Sequence, residues 1–206
     1  MSKPVLLIGM GGHSKVIKDI IENDAKFYVA GYLDDAINDY HKEHQLIYDN
    51  LKRIDNYKND YYFVIAIGDN FVREKIFIES HISIEQFPVL IHSTACVSPS
   101  ASIGYGTVVM PLAVVNADTT IGVHSIVNTS SVIEHDNVIG DYVHISPNAV
   151  LAGGVEVGAF THIALNTTVL PQVNIGKKCV VGAGSTVIKD VKSESTVIGT
   201  PAKIKE

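Results

Sequence analysis

His135 stands between two carboxylates, at the end of the run Asn128-Thr129-Ser130-Ser131-Val132-Ile133-Glu134-His135-Asp136. An imidazole titrates near neutral pH, and an adjacent carboxylate can hold one ring nitrogen and stabilise the imidazolium, as a general base requires. The same residues also suit a plain turn in which the histidine makes a local hydrogen bond, and residue types alone favour that role. His144 and His162 lie 18 positions apart, and each suits a surface imidazole as well as a ligand contact. Nearer the N-terminus, the apolar run Val5 to Gly9 ends in Gly9-Met10-Gly11-Gly12-His13-Ser14, after which Val16, Ile17, Ile20 and Ile21 recur at helical spacing. Strand, glycine turn and helix make half of a βαβ nucleotide unit. Ser14 occupies the third glycine position, and about ninety residues are too few for the two-half dinucleotide fold, so the expectation is a mononucleotide or nucleotide-sugar site, not NAD. A glycine turn before a helix is also often only a turn.

The elements that must position these residues are written in a six-residue period. From Ile91 to Val187 every sixth residue is Ile, Val or Leu, and the fifth residue of each hexad, from Ala95 to Val191, is small or at most valine-sized. Gly104, Gly122, Gly140, Gly158 and Gly176 recur at a spacing of 18, so three hexads close one coil. This predicts a parallel β-helix of between five and six coils, with the first and fifth positions pointing inward. His135 then falls at a corner, and His144 and His162 stack in one outer column. The sixth positions form three outward columns. Val108, Ile126, His144, His162, Val180 and Val114, Val132, Val150, Thr168, Thr186 are largely apolar, whereas Ser102, Thr120, Val138, Glu156, Asn174 is mainly polar. Nothing else in the chain is expected to cover the two apolar columns, which points to self-association as a cyclic trimer with the histidine column at a subunit boundary.

Before the repeat, strands are expected at Phe27 to Leu33, ending in Asp34-Asp35, and at Tyr61 to Ile67, ending in Gly68-Asp69-Asn70, with a helix from about Phe71 to Ser80. Asp34 to Asn59 reads as a polar, solvated loop. The division is thus an α/β domain over 1–90, the β-helix over 91–192 and a tail over 193–206. A net charge of -6 leaves no basic surface for nucleic acid. The apolar stretch Val108 to Val115 is too short to span a membrane and contains Pro111. The chain opens without a signal-peptide layout, which reads as cytoplasmic. Cys96 points outward and Cys179 inward, far apart, so neither a disulfide nor a metal pair is expected.

The repeat and the closing Gly199-Thr200-Pro201-Ala202-Lys203 resemble the left-handed β-helix, or hexapeptide-repeat, acyltransferases. The segments Gly9 to Lys15, Gly31 to Asp35 and Ile65 to Asn70 narrow the resemblance to bacterial UDP-4-amino-sugar N-acetyltransferases and their sialic-acid O-acetyltransferase relatives. The resemblance implies a left-handed β-helix behind a Rossmann-like domain that holds UDP through Gly11, Gly12, His13, Asp34, Asp35, Gly68 and Asn70. It implies His135 as general base with Asp136 as partner; the relatives carry Glu at the latter place, which leaves Glu134 as the substitute. It places His144, Gly153, Ala164, Leu165, Gly182 and Ala183 along acetyl-CoA, in a homotrimer that needs no metal. The acceptor is then the amine of a UDP-4-amino-4,6-dideoxy sugar, or alternatively a hydroxyl of sialic acid or another surface-polysaccharide sugar. A zinc site on His135, His144 and His162, as in gamma-type carbonic anhydrases, and a non-catalytic trimeric scaffold with a nucleotide sensor are weaker readings.

Overall fold

The structure, a computed structural model, describes residues 2–205. Its first part is a five-stranded sheet built from β1 (Lys3–Ile8), β2 (Phe27–Leu33), β3 (His41–Glu43), β4 (Leu46–Asp49) and β5 (Tyr62–Ile65), in the order β3-β4-β2-β1-β5. All neighbours are parallel except the β3-β4 hairpin. β1 lies between β2 and β5, and its Val5, Leu6, Leu7 and Ile8 are fully buried because both faces of the sheet are covered. On one side Val5 and Leu7 pack with Ile17, Ile20 and Ile21 of α1 (Gly12–Glu22). On the other, Leu6 and Ile8 pack with Ile54, Tyr57, Phe87 and with Ile76 of α2 (Asn70–Ser80).

The segment expected as a solvated loop, Asp34 to Asn59, is instead the hairpin β3-β4 and a 3-10 turn, Leu51–Tyr57. Its anchor is polar. Asp49 is 2% exposed and accepts from the Tyr57 hydroxyl at 2.7 Å, the Arg53 guanidinium at 2.8 Å and the Asn50 N–H at 2.8 Å. A polar run folds here because its one buried carboxylate has three donors.

The second part is a left-handed parallel β-helix with three faces. The first face stacks Leu90–Ile91, Val108–Val109, Ile126–Val127, His144–Ile145, His162–Ile163 and Val180–Val181, and is extended by Thr196–Ile198 and Lys203–Ile204 from the C-terminal segment. The second face runs from Cys96–Val97 to Thr186–Val187, and the third from Ser102–Ile103 to Asn174–Ile175. Partners from Leu90 to Val187 are 18 residues apart, as in Val132 with Val150, and the spacing shortens to 16 where Val180 meets Thr196. The inward first positions and the apolar fifth positions form one continuous core, with Thr, Ser and Asn137 buried at the other fifth positions. From Gly106 to Gly184 the fourth position of every hexad has positive φ, and Pro99, Pro111, Pro147 and Pro171 occupy third positions. These are the central residues of type II turns, in which the third-position N–H has no part in the backbone ladder and proline costs nothing. The glycine column has a separate cause, since a Cβ on Gly104, Gly122, Gly140, Gly158 or Gly176 would stand within 2.4 to 2.7 Å of backbone atoms of the neighbouring coil.

The first face is covered by the chain's own α/β part over its N-terminal coils, while Val180 at the far end is 41% exposed. Val108 and Ile126 are each 2% exposed, and Val108 and Met110 share a core with β1 and α1. At the corner between the third and first faces, Phe160, Tyr142 and His124 stack in sequence, with ring centroids 5.2 and 5.5 Å apart, and Phe71, Phe77 and Phe87 close on them. The expectation of two uncovered apolar columns is therefore corrected to one. Val114, Val132 and Val150 on the second face remain at least partly open. Periodicity shows which residues point outward, but not what a neighbouring domain lays over them.

Candidate functional site

His135 and Asp136 are the third and fourth residues of their hexad, at the corner between the second and third faces. The turn directs both side chains outward, and His135 Nδ1 lies 2.7 Å from Asp136 Oδ2. Both side chains are well exposed, 62% and 65%. The hydrogen bond to Asp136, with the charges of Asp136 and Glu134, holds the imidazole pKa above its ordinary value. With Nδ1 engaged, Nε2 is the open nitrogen. Glu134, the substitute partner, instead accepts from Asn116 Nδ2 at 2.8 Å. One coil on, Gly153 occupies the same corner, and a Cβ there would lie 2.6 Å from His135 Cε1. Glycine is thus required for the ring to lie against the backbone. The Gly153 N–H, a free third-position donor, has no acceptor among the described residues.

His144 has a different character. It lies on the first face, stacked on His162 at 4.9 Å, with Arg73 and His13 close enough to disfavour its protonation. Burial, then these charges, push its pKa down to about 3. Asn128 fixes its tautomer: Asn128 Oδ1 accepts from the Thr129 N–H at 2.8 Å, so Nδ2 is the group facing His144 Nε2 at 3.0 Å. Nε2 therefore accepts, and the proton sits on Nδ1. A neutral ring with its basic nitrogen occupied is a poor base; His135 has the opposite properties. His162 likewise meets Ser146 Oγ at 2.8 Å and is lowered by burial. The remaining positions expected along acetyl-CoA divide between two corners. Ala164, Leu165, Gly182 and Ala183 stand at the corner between the first and second faces, Gly153 at the next. A Cβ on Gly182 would meet Ile198 at 2.6 Å, so packing of the C-terminal segment accounts for that glycine.

In the α/β part, Gly11 and Gly12 are exposed, with open space where a side chain would stand, at the start of α1. Asp34 ties the turn together, accepting from the Met10 N–H and the Ala36 N–H, both at 2.8 Å. A cavity of about 240 Å³ lies beyond the strand ends, lined by Gly9, Asp34, Asp35, Ile67, Val72 and Lys75. Its place, outside the carboxyl ends of parallel strands, is where such sheets bind ligands. His13 is largely buried beside Arg73, which together lower its pKa to about 4. Asn70, expected beside Gly68 on the ligand loop, is turned away. It is 7% exposed and donates to the carbonyls of Phe160 at 2.9 Å and Thr161 at 3.3 Å on the β-helix. A shallow concavity of about 720 Å³ on the third face contains none of the expected site residues. Among the described residues no group of three His, Cys, Asp or Glu has metal-holding geometry.

Sequence reasoning missed Arg73. It is 2% exposed and has no carboxylate partner among the described residues, its guanidinium donating to the carbonyls of His124, Gly68 and Tyr142 at 2.8 to 3.1 Å and to Asn70 Oδ1 at 2.9 Å. It joins the loop after β5 to two coils of the β-helix. α2 buries Asn70, Arg73, Ile76 and Ser80 while Phe71, Val72 and Ile78 are exposed, so nothing in the apolar spacing marks Arg73 as buried.

Residues 4–79 match the PglD N-terminal domain family. PerB from Caulobacter crescentus, solved with CoA and GDP-perosamine, is 33% identical with a TM-score of 0.88, over 98% of this chain and 97% of that one. The chain belongs to the hexapeptide-repeat sugar N-acetyltransferases. Within this family, the acetyltransferase domain of PglB from Neisseria gonorrhoeae FA1090 is 31% identical with a TM-score of 0.90, over 99% and 100% of the two chains. It has also been solved with acetyl coenzyme A. UDP-N-acetylbacillosamine N-acetyltransferase of Bacillus subtilis (strain 168) is 40% identical over 111 residues. That match spans 52% of this chain and about half, 51%, of the curated relative's length. Among these hexapeptide-repeat sugar N-acetyltransferases, histidine-substituted forms of the Caulobacter protein have been solved with the same two ligands.

Proposed function

We propose that the protein transfers the acetyl group of acetyl-CoA to the amine of a UDP-linked 4-amino-4,6-dideoxy sugar, with His135 as general base. The observation that carries this reading is the 2.7 Å His135–Asp136 contact with Nε2 left open at a glycine-lined corner. His135 Nε2 takes the ammonium-forming proton as the amine attacks the thioester carbonyl, and the C–N bond forms. Asp136 keeps Nδ1 protonated and stabilises the imidazolium. The Gly153 N–H donates to the carbonyl oxygen as it becomes an oxyanion. His135 then returns its proton to the departing CoA sulfur as the C–S bond breaks. Nucleotide-sugar binding is assigned to Gly11, Gly12, Asp34, Asp35 and the Gly68 backbone, with His13 at the edge. Acetyl-CoA is assigned to the strip between His135 and the Leu165 and Ala183 corner.

The topology supports a homotrimer for a further reason. The α/β part covers the first face, and the His135 corner is the one opposite that face, so a single chain separates its nucleotide domain from its base by the width of the prism. A neighbouring copy packed against the open second face supplies what one chain keeps apart. The test is turnover of acetyl-CoA with UDP- and GDP-linked 4-amino sugars, and with sialic acid as the hydroxyl acceptor. His135→Ala should lower kcat by ~10²–10⁴-fold. Unaltered turnover removes His135 from the reaction, and activity on sialic acid alone replaces the amine with a hydroxyl.

A further inference from the structure

Asn137 occupies the inward fifth position of the hexad that carries His135, and it is fully buried. At that position Thr107, Thr119, Ser125, Thr161 and Thr167 each donate from the hydroxyl to the second-position carbonyl 15 residues on, in the next coil. Asn137 does the same with an amide, Nδ2 donating to the Ala152 carbonyl at 3.0 Å, and adds the carbonyls of Glu134 at 2.7 Å and His135 at 3.3 Å. Rotating the amide would set Oδ1 against three carbonyl oxygens, so its orientation is fixed. Oδ1 is left buried without a donor. That is a cost the hydroxyls in the other coils do not incur, so stability alone does not favour an amide here.

Among the described residues no other donor reaches the Ala152 carbonyl. The Ala152 C=O and the Gly153 N–H are opposite ends of one planar trans peptide and point in opposite directions. Holding the oxygen inside the prism aims the N–H outward, beside the His135 ring. We propose that Asn137 is a positioning residue for acetyl transfer, fixing the Ala152–Gly153 peptide as an anion-stabilising donor. This rests on the reading of His135 and Gly153 given above.

The experiment compares Asn137→Val with Asn137→Thr. Threonine places a hydroxyl where Thr119 and Thr107 have theirs and restores the bond to Ala152, whereas valine has the same shape, native at Val143 and Val155, and donates nothing. Asn137→Val should lower kcat about 10- to 100-fold, less than outright removal of an oxyanion donor. The KM for each substrate and the acid limb of the pH profile should stay in place, because His135 and Asp136 are untouched. Asn137→Thr should recover most of kcat. Equal kcat in the two variants, high or low, overturns the proposal, with thermal unfolding confirming that both are folded. Should valine prevent folding, Asn137→Ser against Asn137→Ala makes the same comparison. Wild-type protein inactive on every nucleotide amino sugar would instead defeat the functional reading. Crystal structures then still decide the positioning: the Ala152–Gly153 peptide should rotate or disorder in the valine variant, and an unchanged peptide overturns the role of Asn137.

Discussion

Two histidines nine positions apart differ in what their environments permit. His135 is exposed, paired with a carboxylate and shifted up; His144 is enclosed, beside Arg73, and pushed down to about 3. A raised pKa means His135 is protonated, and idle as a base, below that value. Asp136→Asn removes the charge that raises it, so the acid limb of kcat/KM should move to lower pH while the maximal rate falls. A pH-rate profile of wild type and variant checks this, and an unmoved limb would show that Asp136 does not set the basicity. Gly153→Ala is a sharper steric test. The new methyl group would press on the ring of His135, and displacement on the order of 1 Å should lower kcat about 10²-fold. Thermal unfolding should barely change, since the ring is at the surface and can swing away.

The elements that join the two parts carry buried histidines as well as rings. His124 is 1% exposed, packed among Phe77, Phe87 and Tyr142, with neither ring nitrogen bonded. Burial first, then Arg73, lowers its pKa to about 4. The unfolded chain binds a proton near pH 6.5 that the folded chain refuses until about pH 4. Stability from this group is therefore full above 6.5 and falls as pH drops through that window, by on the order of 2–3 kcal/mol. His13 and His144 have the same sign. His124→Phe should raise the melting temperature at pH 5 more than at pH 8 and flatten the acid side of the stability profile. An equal gain at both pH values would mean the ring, not its charge, matters.

For the whole molecule, docking of the α/β part leaves the second face as the apolar surface without a cover. Val150 is 37% exposed on a column with Val132 and Val114. Light scattering on wild type should give three times the 22.3 kDa chain mass. Val150→Asp would place a desolvated carboxylate in the contact, so the variant should dissociate and lose turnover together. An active monomer would overturn the shared site.

The hexad period specified the prism from sequence alone, because a six-residue beat with aliphatic first positions has one way to bury them. It also placed His135 at a corner between Glu134 and Asp136, since neighbours in a turn stay neighbours in space, but left open which carboxylate meets the ring; the structure puts Asp136 there and turns Glu134 to Asn116. The strand, glycine turn and helix near the N-terminus were legible for the same local reason. Tertiary structure alone decided which face the α/β part covers, and with it the fates of His144, Asn70 and Arg73. The role of Asn137 was half visible, as an amide in a column of small residues, but its partner Ala152 is 15 positions away. Periodicity reports which way a side chain points. What it meets there depends on parts of the chain whose separation in sequence sets no distance in space.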